Sequence, residues 1–87
     1  MQESTRLLLL RRMKAWAEAE RDPDQVRLMV YGFEYSPRDM VRAFENPDTP
    51  AGKVLVDLYD SMIKNHGLVR VLEGLYPRNS KEPPMLY

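Results

Sequence analysis

The chain has 87 residues with 13 basic and 13 acidic side chains, so its formal charge is zero, and it contains no cysteine. The length fits one domain, and neutrality excludes a bulk attraction to nucleic acid or to an anionic membrane surface. The lack of cysteine excludes disulfides, thiolate catalysis and cysteine-based zinc sites, and it favours a cytoplasmic location. No apolar run approaches the roughly 20 residues of a membrane span, so no membrane partner is expected.

The N-terminal segment predicts a helix that ends near Glu20 and carries four consecutive leucines, residues 7–10. At about 100° per residue, four in a row cover most of a helix circumference, whereas a surface helix buries only one stripe. One face is expected to pack on the rest of the chain, and it comprises Leu9, Leu10, Met13, Trp16 and Ala17. The other side predicts a surface for a partner or for self-association, formed by Leu7, Leu8, Arg12, Ala15 and Ala19. The alternative is a central helix that its own chain wraps.

The middle of the chain contains two sequence signals for the start of a helix, and each includes a proline. Asp22-Pro23-Asp24-Gln25 predicts an aspartate N-cap with proline at the first helical position and a capping glutamine. The helix then covers residues 23–31, with Gly32 as its left-handed C-terminal residue. Ser36-Pro37-Arg38-Asp39 repeats the signature and predicts a helix over residues 37–45.

The second half of the sequence predicts two more helices, over residues 51–65 and 68–76. The longer one has a broad apolar face, which comprises Val54, Leu55, Leu58, Tyr59, Met62 and Ile63. Lys53 with Asp57, and Asp60 with Lys64, stand one turn apart on the opposite face and indicate solvent. The single histidine, His66, is expected to stabilise the C-terminus of this helix through its interaction with the helix dipole, rather than to act in catalysis.

These elements predict an all-α fold, a compact single-domain bundle of four to five short helices over residues 1–77. Residues 78–87 are expected to form an extended or disordered C-terminal tail, because they contain two prolines and no apolar periodicity. The tail closes on Met85, Leu86 and Tyr87. This apolar triplet is either a frayed end or a docking peptide for a neighbouring subunit.

No pattern in the sequence indicates an enzyme, a cofactor, a metal site or a small-molecule substrate. The carboxylates fall on predicted solvent faces, where nothing shifts a pKa towards catalysis, and there is no glycine-rich phosphate loop. Tyr31 and Tyr35 are expected to be exposed near the Gly32 turn and to extend the predicted interface. We therefore expect a non-enzymatic protein-protein interaction protein, either a subunit of a larger assembly, including a homo-oligomer, or a stoichiometric modulator. Small phage-encoded inhibitors offer an analogy for the second role.

The alternative function is a small helix-turn-helix regulator that binds DNA. In that interpretation the helices over residues 23–31 and 37–45 flank the Gly32 turn. Arg38 and Arg42 on the second helix, with Arg27 on the first, would contact phosphates or bases. Asp39 places negative charge beside them and weighs against this alternative.

Overall fold

The structure is a computed structural model that describes residues 1–75. These residues form four helices, α1 (Glu3–Ala19), α2 (Pro37–Glu45), α3 (Pro50–His66) and α4 (Leu68–Glu73). A two-stranded antiparallel hairpin, β1 (Leu28–Val30) and β2 (Phe33–Tyr35), stands between α1 and α2 in the chain. The fold is therefore mostly helical with one short sheet. The predicted tail, with Met85, Leu86 and Tyr87, lies outside the described residues.

The hairpin replaces the helix predicted over residues 23–31, so that prediction is wrong. The all-α fold class is confirmed only as a mostly helical fold, because the hairpin is not helical. Asp22 begins a turn: its carbonyl accepts from the Gln25 N–H at 3.2 Å, and its Oδ1 accepts from the Asp24 N–H at 3.2 Å. Aspartate followed by proline suits the first two positions of a type I turn as well as it suits a helix start. Tyr31 and Gly32, with φ of 48° and 82°, then form the two-residue connection of the hairpin.

The start of α2 confirms the sequence prediction at the level of individual hydrogen bonds, and α3 also begins on a side-chain cap. Ser36 Oγ accepts from the Asp39 N–H at 3.1 Å, and Asp39 Oδ2 accepts from the Ser36 N–H at 3.0 Å, which is a complete capping box. Thr49 Oγ1 accepts from the Gly52 N–H at 3.0 Å and caps α3. α3 ends at His66, and Gly67 follows it with φ of 89°.

The core lies where α1, α2 and α3 meet, with α2 packed against both neighbours. Phe44 of α2 is fully buried, and its ring meets the ring of Tyr59 edge to face at 5.4 Å between centroids. The predicted packing face of α1 is confirmed, because four of its five residues are buried, namely Leu9, Leu10, Met13 and Ala17. On α3 the most buried apolar side chains are Leu55 and Tyr59, and the other members of its predicted face are half-buried.

The corner between α2 and α3 is closed by a glycine in the first turn of α3. A Cβ atom on Gly52 would lie 2.2 Å from the carbonyl oxygen of Asn46 and 2.8 Å from that of Ala43. Both neighbours are backbone atoms, which cannot rotate away. Gly52 therefore sets how closely the two helices approach.

Candidate interaction surfaces

The outward side of α1 carries two exposed leucines next to two buried ones. Leu7 keeps 48% and Leu8 keeps 42% of its surface in water, whereas Leu9 is fully buried. Ala15 is exposed and Ala19 is half-buried on the same side of the helix. We call Leu7, Leu8, Ala15 and Ala19 the α1 face.

Polar contacts with α2 hold α1 in place. The Arg6 guanidinium donates to the Phe44 carbonyl of α2 and also to both carboxylate oxygens of Glu3, each at 2.8 Å. The hydrogen bond from Arg6 lowers the pKa of the Glu3 carboxyl. Further along the helix, Lys14 forms an ion pair with Glu45 of α2 at 3.4 Å. These anchors hold α1 on α2, so the α1 face points to solvent.

Two arginines lie beside the α1 face, and they differ in whether they have a partner within residues 1–75. Arg11 is exposed and forms no ion pair or hydrogen bond with residues 1–75. Arg12, which was predicted as an interface residue, is half-buried and already has a partner within the chain. Arg11 is therefore the cation that a partner on this face would meet.

The hairpin carries two of the three most exposed large apolar side chains in residues 1–75. Met29 is 67% exposed and Tyr31 is 90% exposed, and we call these two residues the hairpin tip. Among these residues, Tyr31 is also the only one other than glycine with a positive φ, a conformation that is unfavourable for a bulky side chain. The expected exposure of Tyr31 is confirmed.

Tyr35 is buried, and its predicted exposure and interface role are corrected by the hairpin. The side chain is 1% exposed, and its hydroxyl donates to the Ala51 carbonyl at 2.6 Å. Alternation along β2 turns Phe33 and Tyr35 inward and leaves Glu34 outward, as expected of a strand with one covered face. Burial raises the pKa of the Tyr35 hydroxyl.

A groove of about 230 Å³ runs between the hairpin and α3. Its lining combines apolar and polar side chains, namely Val30, Tyr31, Val54, Asp57, Leu58 and Ser61. Asp57 is exposed and forms no ion pair with any residue in the range 1–75. The predicted pair of Lys53 with Asp57 is therefore not formed, whereas Asp60 and Lys64 do pair, at 3.3 Å.

The three arginines proposed for DNA binding do not stand on a helix-turn-helix unit, because β1 occupies the place of its first helix. Each of them faces a carboxylate: Arg27 lies 3.8 Å from Glu20, Arg38 lies 3.7 Å from Asp24, and Arg42 lies 3.4 Å from Asp39. Arg27 is also mostly buried, with 23% of its side chain exposed. The helix-turn-helix prediction is wrong in its geometry.

Within residues 1–75 no three acidic or histidine side chains come together in a way that could hold a metal ion. None of the helices in that range has both the length and the apolar character to cross a bilayer. Comparison of the chain with protein-family models, with curated proteins and with solved structures gives no match. The functional argument therefore depends on the surfaces described above.

Proposed function

We propose that this chain is a non-enzymatic protein-protein interaction module that binds through the α1 face. It acts either as a subunit of a larger assembly, including one made of its own copies, or as a stoichiometric modulator that covers a partner's surface. One observation carries the proposal: Leu7 and Leu8 lie side by side in solvent on a helix whose other side is already packed. The absence of cysteine supports a cytoplasmic setting.

The free energy gained by burying Leu7 and Leu8 shows how large such an interface must be. Full burial of a leucine contributes about 1.5–3 kcal/mol. Leu7 and Leu8 are already more than half covered, so their remaining exposed surface contributes only about 2 kcal/mol together. A stable complex buries roughly 800 Å² on each partner. The interface therefore has to include Arg11 and Ala15 as well, and the two leucines form its centre.

Substitution of Leu8 by glutamate tests this proposal. Leu8→Glu places a charge at the centre of the α1 face, and Gln25→Glu makes the same change of charge at an exposed turn residue away from it. We expect Leu8→Glu to abolish self-association in sedimentation velocity, or to remove the partner from a quantitative affinity purification. The Gln25→Glu control should behave like the unmodified chain, and circular dichroism should show equal helix content in all three proteins.

The proposal is overturned by one combination of results. The unmodified chain would have to sediment as a monomer at every concentration, and Leu8→Glu would have to recover each protein that the unmodified chain recovers.

A further inference from the structure

We propose that the hairpin tip and the groove beside α3 form a second binding site, which accepts an arginine side chain of a protein partner. This site lies on different elements from the α1 face and does not rest on the function proposed for that face. Tyr31 is the first indication. It holds a left-handed backbone conformation that asparagine or glycine adopts more readily, and with 90% of its surface in water its ring adds almost nothing to the core.

Tyr31 has an unfavourable backbone conformation and contributes almost nothing to packing, so its side chain is of little use to stability. This combination indicates a role in binding. Tyrosine is among the residue types that most often anchor protein interfaces, because its ring is large and loses little conformational freedom on binding. Met29 of β1 is exposed as well and adds a second apolar side chain to the hairpin tip. The hairpin tip therefore has the composition of a binding anchor.

The groove next to Tyr31 defines what can bind there. Its volume of about 230 Å³ is below the range of roughly 300–1,000 Å³ that is usual for small-molecule pockets. One long side chain fits a space of this size. Val30, Val54 and Leu58 line the groove with apolar surface, which suits the methylene stem of such a side chain.

The negative charge of Asp57 in the groove favours a cationic side chain. The Asp57 carboxylate lies in the lining, is exposed, and has no ion pair among residues 1–75. A guanidinium group can stack on the Tyr31 ring and donate hydrogen bonds to the Asp57 carboxylate at the same time, because it is planar. An ammonium group is not planar and is less suited to this combination. The groove thus offers an aromatic ring, a carboxylate and an apolar wall to one arginine.

Titration of the whole 87-residue chain with N-acetyl-arginine methylamide tests the site by two-dimensional amide NMR. We expect concentration-dependent shifts at groove residues, with saturation in the millimolar range. The neutral isostere N-acetyl-citrulline methylamide should leave these resonances in place, and N-acetyl-lysine methylamide should bind more weakly than the arginine compound. Leu8→Glu should leave the arginine titration unchanged, which separates this site from the α1 face.

Two variants and a matched control identify the residues that carry binding. Asp57→Asn should weaken the arginine compound by about tenfold or more, because a charge-assisted hydrogen bond is lost. Tyr31→Asn keeps the left-handed turn and should also weaken binding, while the hairpin resonances stay dispersed. Asp48→Asn removes an exposed carboxylate that is not in the groove lining and should change nothing. Equal shifts with arginine and citrulline compounds, no shift at the groove, or unchanged affinity in Asp57→Asn overturns the proposal.

Discussion

Residues 22–35 and residues 36–46 begin with the same kind of signal and fold differently. Each segment opens on a capping residue followed by proline, and in each an aspartate or serine oxygen accepts a backbone N–H two or three residues ahead. After Ser36, apolar residues recur at helical spacing in Met40, Ala43 and Phe44, and α2 follows. After Asp22, burial alternates along Leu28, Met29 and Val30, which is the pattern of a strand with one covered face, and the hairpin follows.

The same start signal is thus followed by two different structures. At Ser36 the capped proline starts a helix directly, whereas at Asp22 it forms a turn and the next element, β1, begins only at Leu28. The spacing of the buried apolar residues then distinguishes a helix from a strand. The two regions also differ in how firmly they are held. α2 is packed between α1 and α3, whereas both strands of the hairpin have only three residues, and their tip is exposed.

The largest effect is expected from removal of the side chain that anchors α2. Phe44 is fully buried against Tyr59, so Phe44→Ala should lower the free energy of unfolding by about 3–5 kcal/mol. Chemical denaturation monitored by circular dichroism measures the loss. Val69→Ala truncates a side chain that is 71% exposed and should change stability by less than about 0.5 kcal/mol. A loss below about 1 kcal/mol in Phe44→Ala would show that α2 is not the better anchored region.

Alkaline pH should weaken the same contact. Burial raises the pKa of Tyr59 to about 12 from its ordinary value of 10. A group with a raised folded-state pKa contributes its full stability below pH 10 and loses it as the pH rises to about 12. The total loss is about 2–3 kcal/mol.

Denaturation curves at a series of pH values, compared with those of Tyr59→Phe, measure this loss. The variant should retain only a smaller alkaline decrease, to which Tyr35 contributes because burial raises its pKa as well. An equal decrease in both proteins would assign the effect to other groups.

Substitution by alanine at Ser36 and at Asp22 measures how much each region depends on its capping side chain. Ser36→Ala leaves the Asp39 N–H, at a part-buried helix start, without its side-chain acceptor and should cost about 0.5–2 kcal/mol. Asp22→Ala removes an acceptor from an exposed turn and should cost less than about 0.5 kcal/mol. Thermal unfolding of both variants gives the two values, and a larger cost at Asp22 would reverse our assignment of which region depends on its cap.

The smallest effect is a gain in the hairpin. Tyr31→Asn relieves the left-handed strain and loses almost no buried surface, so it should stabilise the hairpin by up to about 1 kcal/mol. Amide hydrogen exchange in β1 and β2 measures the change locally. Tyr31→Phe retains a bulky residue in the same conformation and should leave the exchange rates as they are. Faster exchange in Tyr31→Asn would mean that the ring does support the fold.

α2 and α3 could be predicted from the sequence because two independent signals agree in each of them. At α2, the Ser36 capping box and the Phe44 spacing indicate the same element, and at α3, the Thr49 cap and the Gly67 stop bracket an apolar face. The hairpin could not be predicted in the same way. Its turn has tyrosine where asparagine is the usual signal, and three-residue strands are too short for alternation to outweigh a helix start.

The candidate surfaces show a similar division. Four consecutive leucines cannot all pack on one side, and this simple geometric fact predicted the exposure of Leu7 and Leu8. Whether they bind a partner stays a prediction. The burial of Tyr35 and the groove beside Asp57 depend on how the hairpin meets α2 and α3, and no local pattern in the sequence carries that information.

Gly52 has a consequence for how this chain can vary in evolution. A substitution there meets backbone oxygens at the α2–α3 corner, so a saturation library selected for folding should be depleted of every other residue at this position. Gly32 differs, because a Cβ atom there would have open space and only the backbone conformation restricts the choice, which leaves asparagine acceptable. A search profile for distant relatives should therefore give Gly52 the greater weight.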